Sequence, residues 1–200
     1  MTSAELREKK NELRKSCKLT RKGIDSQKKC KCDSEIVSGL ANCLVFEWAK
    51  EVLMYYPCNA EVSVLELFDK CIALGKKVYF PKSLDNGIME FYRVTSLDGL
   101  KQGRFGIPEP EISSELYEYS PEKQTLCIVP SLCLDRRGYR LGYGKGYYDR
   151  FAKSCPEVVL CAVQYDELVF DEIAFDKRHD RRVDMLVTQK GVSVLGQKEE

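Results

Sequence analysis

Thr125-Leu-Cys-Ile-Val-Pro130 is six residues without a charge, rich in β-branched side chains and ended by proline. Such a run suits a strand buried on both faces of a parallel sheet. Val158-Val-Leu-Cys-Ala-Val163 and Val183-Asp-Met-Leu-Val-Thr188 read the same way. Towards the N-terminus, residues 3–18 suit a helix with Ser3 as its cap and Leu6, Leu13 and Cys17 at helical spacing. Residues 34–49 form a second, with Val37, Leu40, Leu44 and Trp48 on one side. Val52–Tyr56 reads as a strand ended by Pro57, and Asn59 is placed to cap a helix that stops at Gly75. Lys77–Phe80 is a short strand closed by Pro81, and a turn at residues 84–87 leads to a half-exposed strand over 88–94. Strands alternate with helices from residue 34 onward. The expected fold is α/β: a three-layer sandwich with a central, mostly parallel sheet flanked by helices, in one domain over residues 1–200.

Composition narrows the class further. The 200 residues are 44% hydrophobic and 32% charged, an ordinary globular balance that excludes a disordered or collagenous chain. Lys and Arg number 32 against 31 Asp and Glu, so no overall field draws the chain to nucleic acid or anionic lipid. The longest uncharged runs are about half a membrane span, and the charged start MTSAELREKK is unlike a signal peptide. A cytoplasmic protein acting on small molecules as a monomer is expected. Ten cysteines without a single CxxC, beside one histidine, read as reduced packing residues rather than a disulfide or zinc framework. His179 has no cysteine near it in sequence, which leaves a Cys–His nucleophile without support.

Chemistry concentrates just after the first strand quoted, in Asp135-Arg-Arg-Gly-Tyr-Arg-Leu-Gly-Tyr-Gly-Lys-Gly-Tyr-Tyr-Asp-Arg150. Gly142, Gly144 and Gly146 alternate with Tyr143 and Lys145, a density that lets backbone N–H groups turn inward around phosphate oxygens. A helix beginning just beyond them adds partial positive charge. Arg140 and Lys145 supply full charges, and Asp149 is placed to hold the magnesium that accompanies a nucleoside triphosphate. The spacing is neither G-x-G-x-x-G nor a P-loop, since no Ser or Thr follows Lys145. The first 35 residues carry eleven Lys and Arg against six Asp and Glu. Within them Lys10 and Arg14 share one helical sector, either as a solvated face or as an anion clamp.

Arg140-Leu-Gly-Tyr-Gly-Lys-Gly-Tyr-Tyr-Asp149 resembles the signature of the 5-formyltetrahydrofolate cyclo-ligase family. Lys10 with Leu13-Arg14, Tyr56 with Glu61-Val62, Gly106-Ile-Pro-Glu-Pro110, Val129-Pro130, Asp135 and Gly138 match family elements in order, as do His179-Asp180 and Val183-Asp184. The resemblance implies cyclisation of 5-formyltetrahydrofolate, polyglutamylated or not, to 5,10-methenyltetrahydrofolate at the expense of ATP with Mg2+. It assigns Lys10, Arg14 and Arg140 to Tyr148 (with Leu141) to ATP. Tyr56, Glu61, Phe105 and residues 143–147 fall to the folate, with Lys145, Arg140 and Glu61 at the reacting groups. Asp149 and Asp180 would hold the metal, although Asp176 and Asp184 stand close by and the usual proline is missing at Ile173-Ala174. Phe105 fits equally as a packed loop anchor. A phosphate-ligand sensor and a sugar-phosphate isomerase on a related fold are the rival readings; the sensor would need neither Lys10 nor Arg14, and the isomerase would want a general base and acid and be indifferent to ATP.

Overall fold

The computed structural model describes residues 2–195. Helix α1 (Ser3–Lys22) is capped by Thr2, one residue ahead of the expected Ser3. The Thr2 hydroxyl accepts from the Glu5 amide at 3.2 Å, and the Glu5 carboxylate accepts from the Thr2 amide at 2.8 Å. Asp25 caps α2 (Ser26–Ala41), accepting from the amides of Gln27 and Lys28. The helix expected over 34–49 breaks at Asn42-Cys43. There the Cys43 side chain takes up the Phe46 amide and starts the short α3 (Leu44–Trp48). The break turns Phe46 inward and leaves Leu44 80% exposed.

The chain continues through β1 (Glu51–Leu53), α4 (Glu66–Ala73), β2 (Lys77–Ser83), β3 (Met89–Arg93) and the small hairpin β4 (Lys101–Gln102) and β5 (Pro108–Glu109). Then come β6 (Thr125–Val129), β7 (Cys133–Asp135), β8 (Arg140–Leu141), α5 (Tyr147–Ser154), β9 (Val159–Val163), β10 (Val169–Phe170), β11 (Met185–Thr188) and β12 (Gly191–Val194). Asn59 caps no helix. With Ala60 it occupies a left-handed turn, and α4 begins only at Glu66.

The main sheet has the order β12-β11-β9-β6-β1-β2-β3. Its five central strands are parallel and its two edge strands antiparallel. Val52 lies opposite Val78 on one side and Leu126 on the other, and Ile128 lies opposite Cys161. Strand β2 runs through Pro81 rather than ending there. Beyond Tyr79 it pairs with β3 alone, so one of its edges needs no N–H from Pro81.

Every residue of β6 is buried, as the uncharged run predicts. Leu126 and Ile128 pack in the core formed with Ile36 and Leu40 of α2 and Leu67 of α4. Cys127 and Val129 face the opposite core, with Ala152 of α5. Alternation of period two along one strand thus serves two helical layers, and the three-layer α/β sandwich is the observed fold.

Candidate active site

Strands β1 and β6 are neighbours, yet the chain leaves them in opposite directions, β1 towards β2 and β6 towards β9. Such a divergence opens a crevice at the carboxyl ends of the strands. The exit from β1 carries Tyr56 and Glu61; the exit from β6 carries Pro130 and the hairpin β7–β8, which delivers the glycine loop.

Asp135 fixes that hairpin. It is wholly buried; one carboxylate oxygen accepts from the amides of Arg137 and Tyr139 at 3.0 Å each, the other from the Ile173 amide and the Arg137 guanidinium. Gly138 turns it at φ 92°, where a Cβ would lie 2.8 Å from the Val183 carbonyl. Replacing Asp135 by Ala strands three amides, that of Ile173 buried and those of Arg137 and Tyr139 partly so. A loss of about 3–5 kcal/mol is expected, lowering the thermal midpoint by roughly 10 °C in a chain of this size. Thermal unfolding followed by circular dichroism checks this, and an unchanged midpoint would refute it.

The loop then meets α1. Gly144 (φ 98°) and Gly146 (φ 66°) take left-handed conformations, and a Cβ on Gly144 would stand 3.4 Å from the Arg14 guanidinium. Arg14 Nε donates to the Gly142 carbonyl at 2.9 Å. Arg150, from the second turn of α5, donates to the carbonyls of both Lys145 and Gly87 and ties the loop to the β2–β3 connection. Together Lys10, Arg14, Pro130, residues 140–149 and Asp180 enclose a cavity of about 260 Å³. It adjoins a second hollow of about 450 Å³ between α1 and residues 176–180. Lys145 is exposed at its rim.

A larger cavity of about 710 Å³ lies at the opposite end of the sheet. Two of its three lysines are already engaged, Lys76 with the carbonyls of Phe46 and Glu47 and Lys77 with Glu115. It gathers no comparable convergence of groups.

Two ion pairs cross the smaller cavity. Arg140, 7% exposed, donates to Asp149 at 3.0 Å, and Lys10 pairs with Asp180. Asp149 also accepts from the Arg181 amide at 3.2 Å, and Asp180 from the Asp176 amide at 2.7 Å. Asp149 therefore sits in the first turn of α5 as a counter-ion, not as its cap. The other two acids are committed elsewhere. Asp184 accepts from the Leu160 amide at 2.7 Å, and Asp176 is held well below the usual carboxylate range by His179 and by the Arg178 amide.

No cluster of three or more His, Cys, Asp or Glu gathers among the described residues. Two carboxylates beside a cation-bearing glycine loop nonetheless match how Mg2+ is generally bound, through one or two acids plus substrate phosphates rather than a protein cage. The buried Nε of Arg140 has no hydrogen-bond partner among the described residues. The donor set fits a metal shared with an anion.

On the folate side, none of Tyr56, Glu61 and Phe105 lines this cavity, and their surroundings differ. Glu61 is 5% exposed, on a turn in which Asn59 (φ 49°) and Ala60 (φ 58°) are both left-handed. Its carboxylate accepts from the Cys58 amide at 2.9 Å, and burial raises its pKa above the ordinary value. Tyr143 of the glycine loop faces it. Tyr56 packs half-buried against the core and does not line the cavity. Phe105 is not brought to the cavity at all. It stands 65% exposed at the β4–β5 connection at φ 61°, and is not a packed anchor. Arg21, which the sequence reading passed over, is buried beneath Tyr143.

A cation-rich crevice at the switch point of a parallel sheet defines a ligand-binding α/β protein. Residues 6–189 match the model of the 5-formyltetrahydrofolate cyclo-ligase family. A probable 5-formyltetrahydrofolate cyclo-ligase from Schizosaccharomyces pombe is 31% identical over 163 residues, covering 73% of this chain and 79% of its own length. The Aquifex aeolicus 5,10-methenyltetrahydrofolate synthetase structure superposes with a TM-score of 0.82 at 34% identity, over 96% of each chain. A synthetase structure from Mycoplasma pneumoniae, 21% identical and covering 90% and 98% of the two chains, shares the fold with a TM-score of 0.72. The chain belongs to the 5-formyltetrahydrofolate cyclo-ligase family and is an enzyme. Membership sets aside the sensor and isomerase readings. Among the described residues no helix is long and apolar enough to cross a membrane.

Proposed function

We propose that this enzyme converts 5-formyltetrahydrofolate to 5,10-methenyltetrahydrofolate with ATP and Mg2+, releasing ADP and phosphate. The observation that carries the reading is the meeting of Lys10, Arg14, Arg140 and the glycine loop with Asp149 and Asp180 in one cavity. A formamide oxygen is a poor nucleophile and a poor leaving group. Phosphorylating it gives an imidate whose carbon the neighbouring anilino nitrogen attacks; the C–O bond then breaks and phosphate leaves. Phosphoryl transfer needs chiefly positioning and neutralised charge, which fixed cations and backbone N–H groups supply.

Arg140 and Lys145 face the transferring group, while Lys10 and Arg14 hold the rest of the triphosphate. Asp149 and Asp180 would hold the metal, which supplies further neutralisation when bound. Glu61 meets the formyl end. A buried carboxylate has a raised affinity for protons, which suits it to take the proton that the anilino nitrogen sheds on closing the ring.

Incubation with ATP, Mg2+ and 5-formyltetrahydrofolate is expected to yield the near-ultraviolet absorbance of the methenyl product, one ADP per turnover. Product formation at full rate without nucleotide would overturn the reading.

A further inference from the structure

Arg21 is the cation that neither the family elements nor the cavity lining accounts for. It lies 2% exposed at the far end of α1, eleven residues beyond Lys10 on the same side of the helix. Its guanidinium donates to the Leu132 carbonyl at 3.2 Å and to the Ser131 carbonyl, just after β6, while its Nε has no partner among the described residues. Gln164 from the end of β9 donates to the same Ser131 carbonyl at 3.0 Å, so this floor is braced from two sides. The remaining arm of Arg21 donates to the Tyr143 hydroxyl at 3.3 Å. A guanidinium this deep is costly without a facing negative charge. No carboxylate is hydrogen-bonded to Arg21 among its described bonds. The acid that feels its charge is Glu61, which Tyr143 also faces.

We propose that Arg21 is a positioning residue for the reaction: one guanidinium grips the backbone after β6 and seats Tyr143 of the glycine loop beside Glu61. This rests on the function proposed above. The groups facing Glu61 are Arg21 from α1, Tyr55 and Cys58 from its own segment, Tyr143 from the loop and Tyr148 from α5. Burial pushes all three phenols up and lifts the Cys58 thiol to about 11, so these stay neutral at neutral pH. Arg21 supplies the positive charge. It opposes the burial that raises the Glu61 pKa, and removing it lets that pKa climb further. If Glu61 works as a carboxylate, the acidic limb of the rate profile moves to higher pH.

The test compares Arg21→Lys, which keeps the charge and loses the fork, with Arg21→Met, which loses both. Methenyl formation by the wild-type enzyme is the reference, and its absence would fail the proposed function rather than this inference. The acidic limb of kcat/KM for 5-formyltetrahydrofolate is expected to rise by about one pH unit in Arg21→Met and to hold its wild-type place in Arg21→Lys. A purely structural role would weaken both variants at every pH without moving the limb, and that result overturns the proposal. Should Arg21→Met not fold, a cycle of Arg21→Lys with Tyr143→Phe decides. Changes in the ATP KM no larger in the double variant than in either single one support the shared contact, and changes that multiply refute it.

Discussion

Asp149→Asn is expected to cut turnover by roughly two to three orders of magnitude, the scale set by removing one stabilising group from developing charge. It should also raise the Mg2+ concentration needed for half-maximal rate. A carboxylate beside a triphosphate is repelled by it unless a cation sits between them. Asparagine keeps the size of Asp149 and its reach to the Arg181 amide at 3.2 Å, but loses the ion pair with Arg140. Because Arg140 is buried, thermal unfolding must accompany the kinetics. 5-Formyltetrahydrofolate binding measured without nucleotide should change little. Wild-type turnover with an unshifted Mg2+ titration would reduce Asp149 to the counter-ion of Arg140.

The second large effect belongs to α1. Replacing both Lys10 and Arg14 by Ala removes two charge-assisted contacts, about 2–5 kcal/mol together, or at least about thirtyfold in ATP affinity. Arg14 also steadies the loop through the Gly142 carbonyl, so the loss should exceed that from phosphate contact alone. Calorimetric titration with MgATP measures it. An unchanged affinity would return both residues to a solvated helix face.

How much of this was legible in the chain depends on the range of the cause. The buried strand at 125–129 is spelled by its own composition, and the structure begins and ends it at the same residues. The glycine loop and its neighbouring cations are likewise local, and they converge as the spacing suggested. The break at Asn42-Cys43 was not legible, because a helical apolar stripe runs straight across it and the Cys43 cap is a weak signal. Asn59 misled because asparagine serves both caps and left-handed turns, and the turn won here.

Phe105 lies away from the cavity for another reason. Family place in sequence says nothing about which way a hairpin leans, and this one leaves its tip in solvent. Arg21 carried a signal that went unread. The stripe of Lys10 and Arg14 continues through Cys17 to Arg21, and Cys17 and Arg21 are the buried residues of α1. Only the tertiary contact with Tyr143 gives that stripe its meaning.

The ion pairs spanning the cavity make ligand capture an exchange of partners. Lys10 and Arg140 are already matched to Asp180 and Asp149, so two of the four cations lining the cavity have a partner before any ligand arrives. A lone anion that displaces Asp149 from Arg140 gains one cation but strands a half-buried acid, and little is won. An anion that arrives with its own cation resolves both halves at once, taking the arginine and leaving the acid a metal. The discrimination between a metal-loaded triphosphate and bare inorganic phosphate would then be written into those two ion pairs, before any substrate is touched.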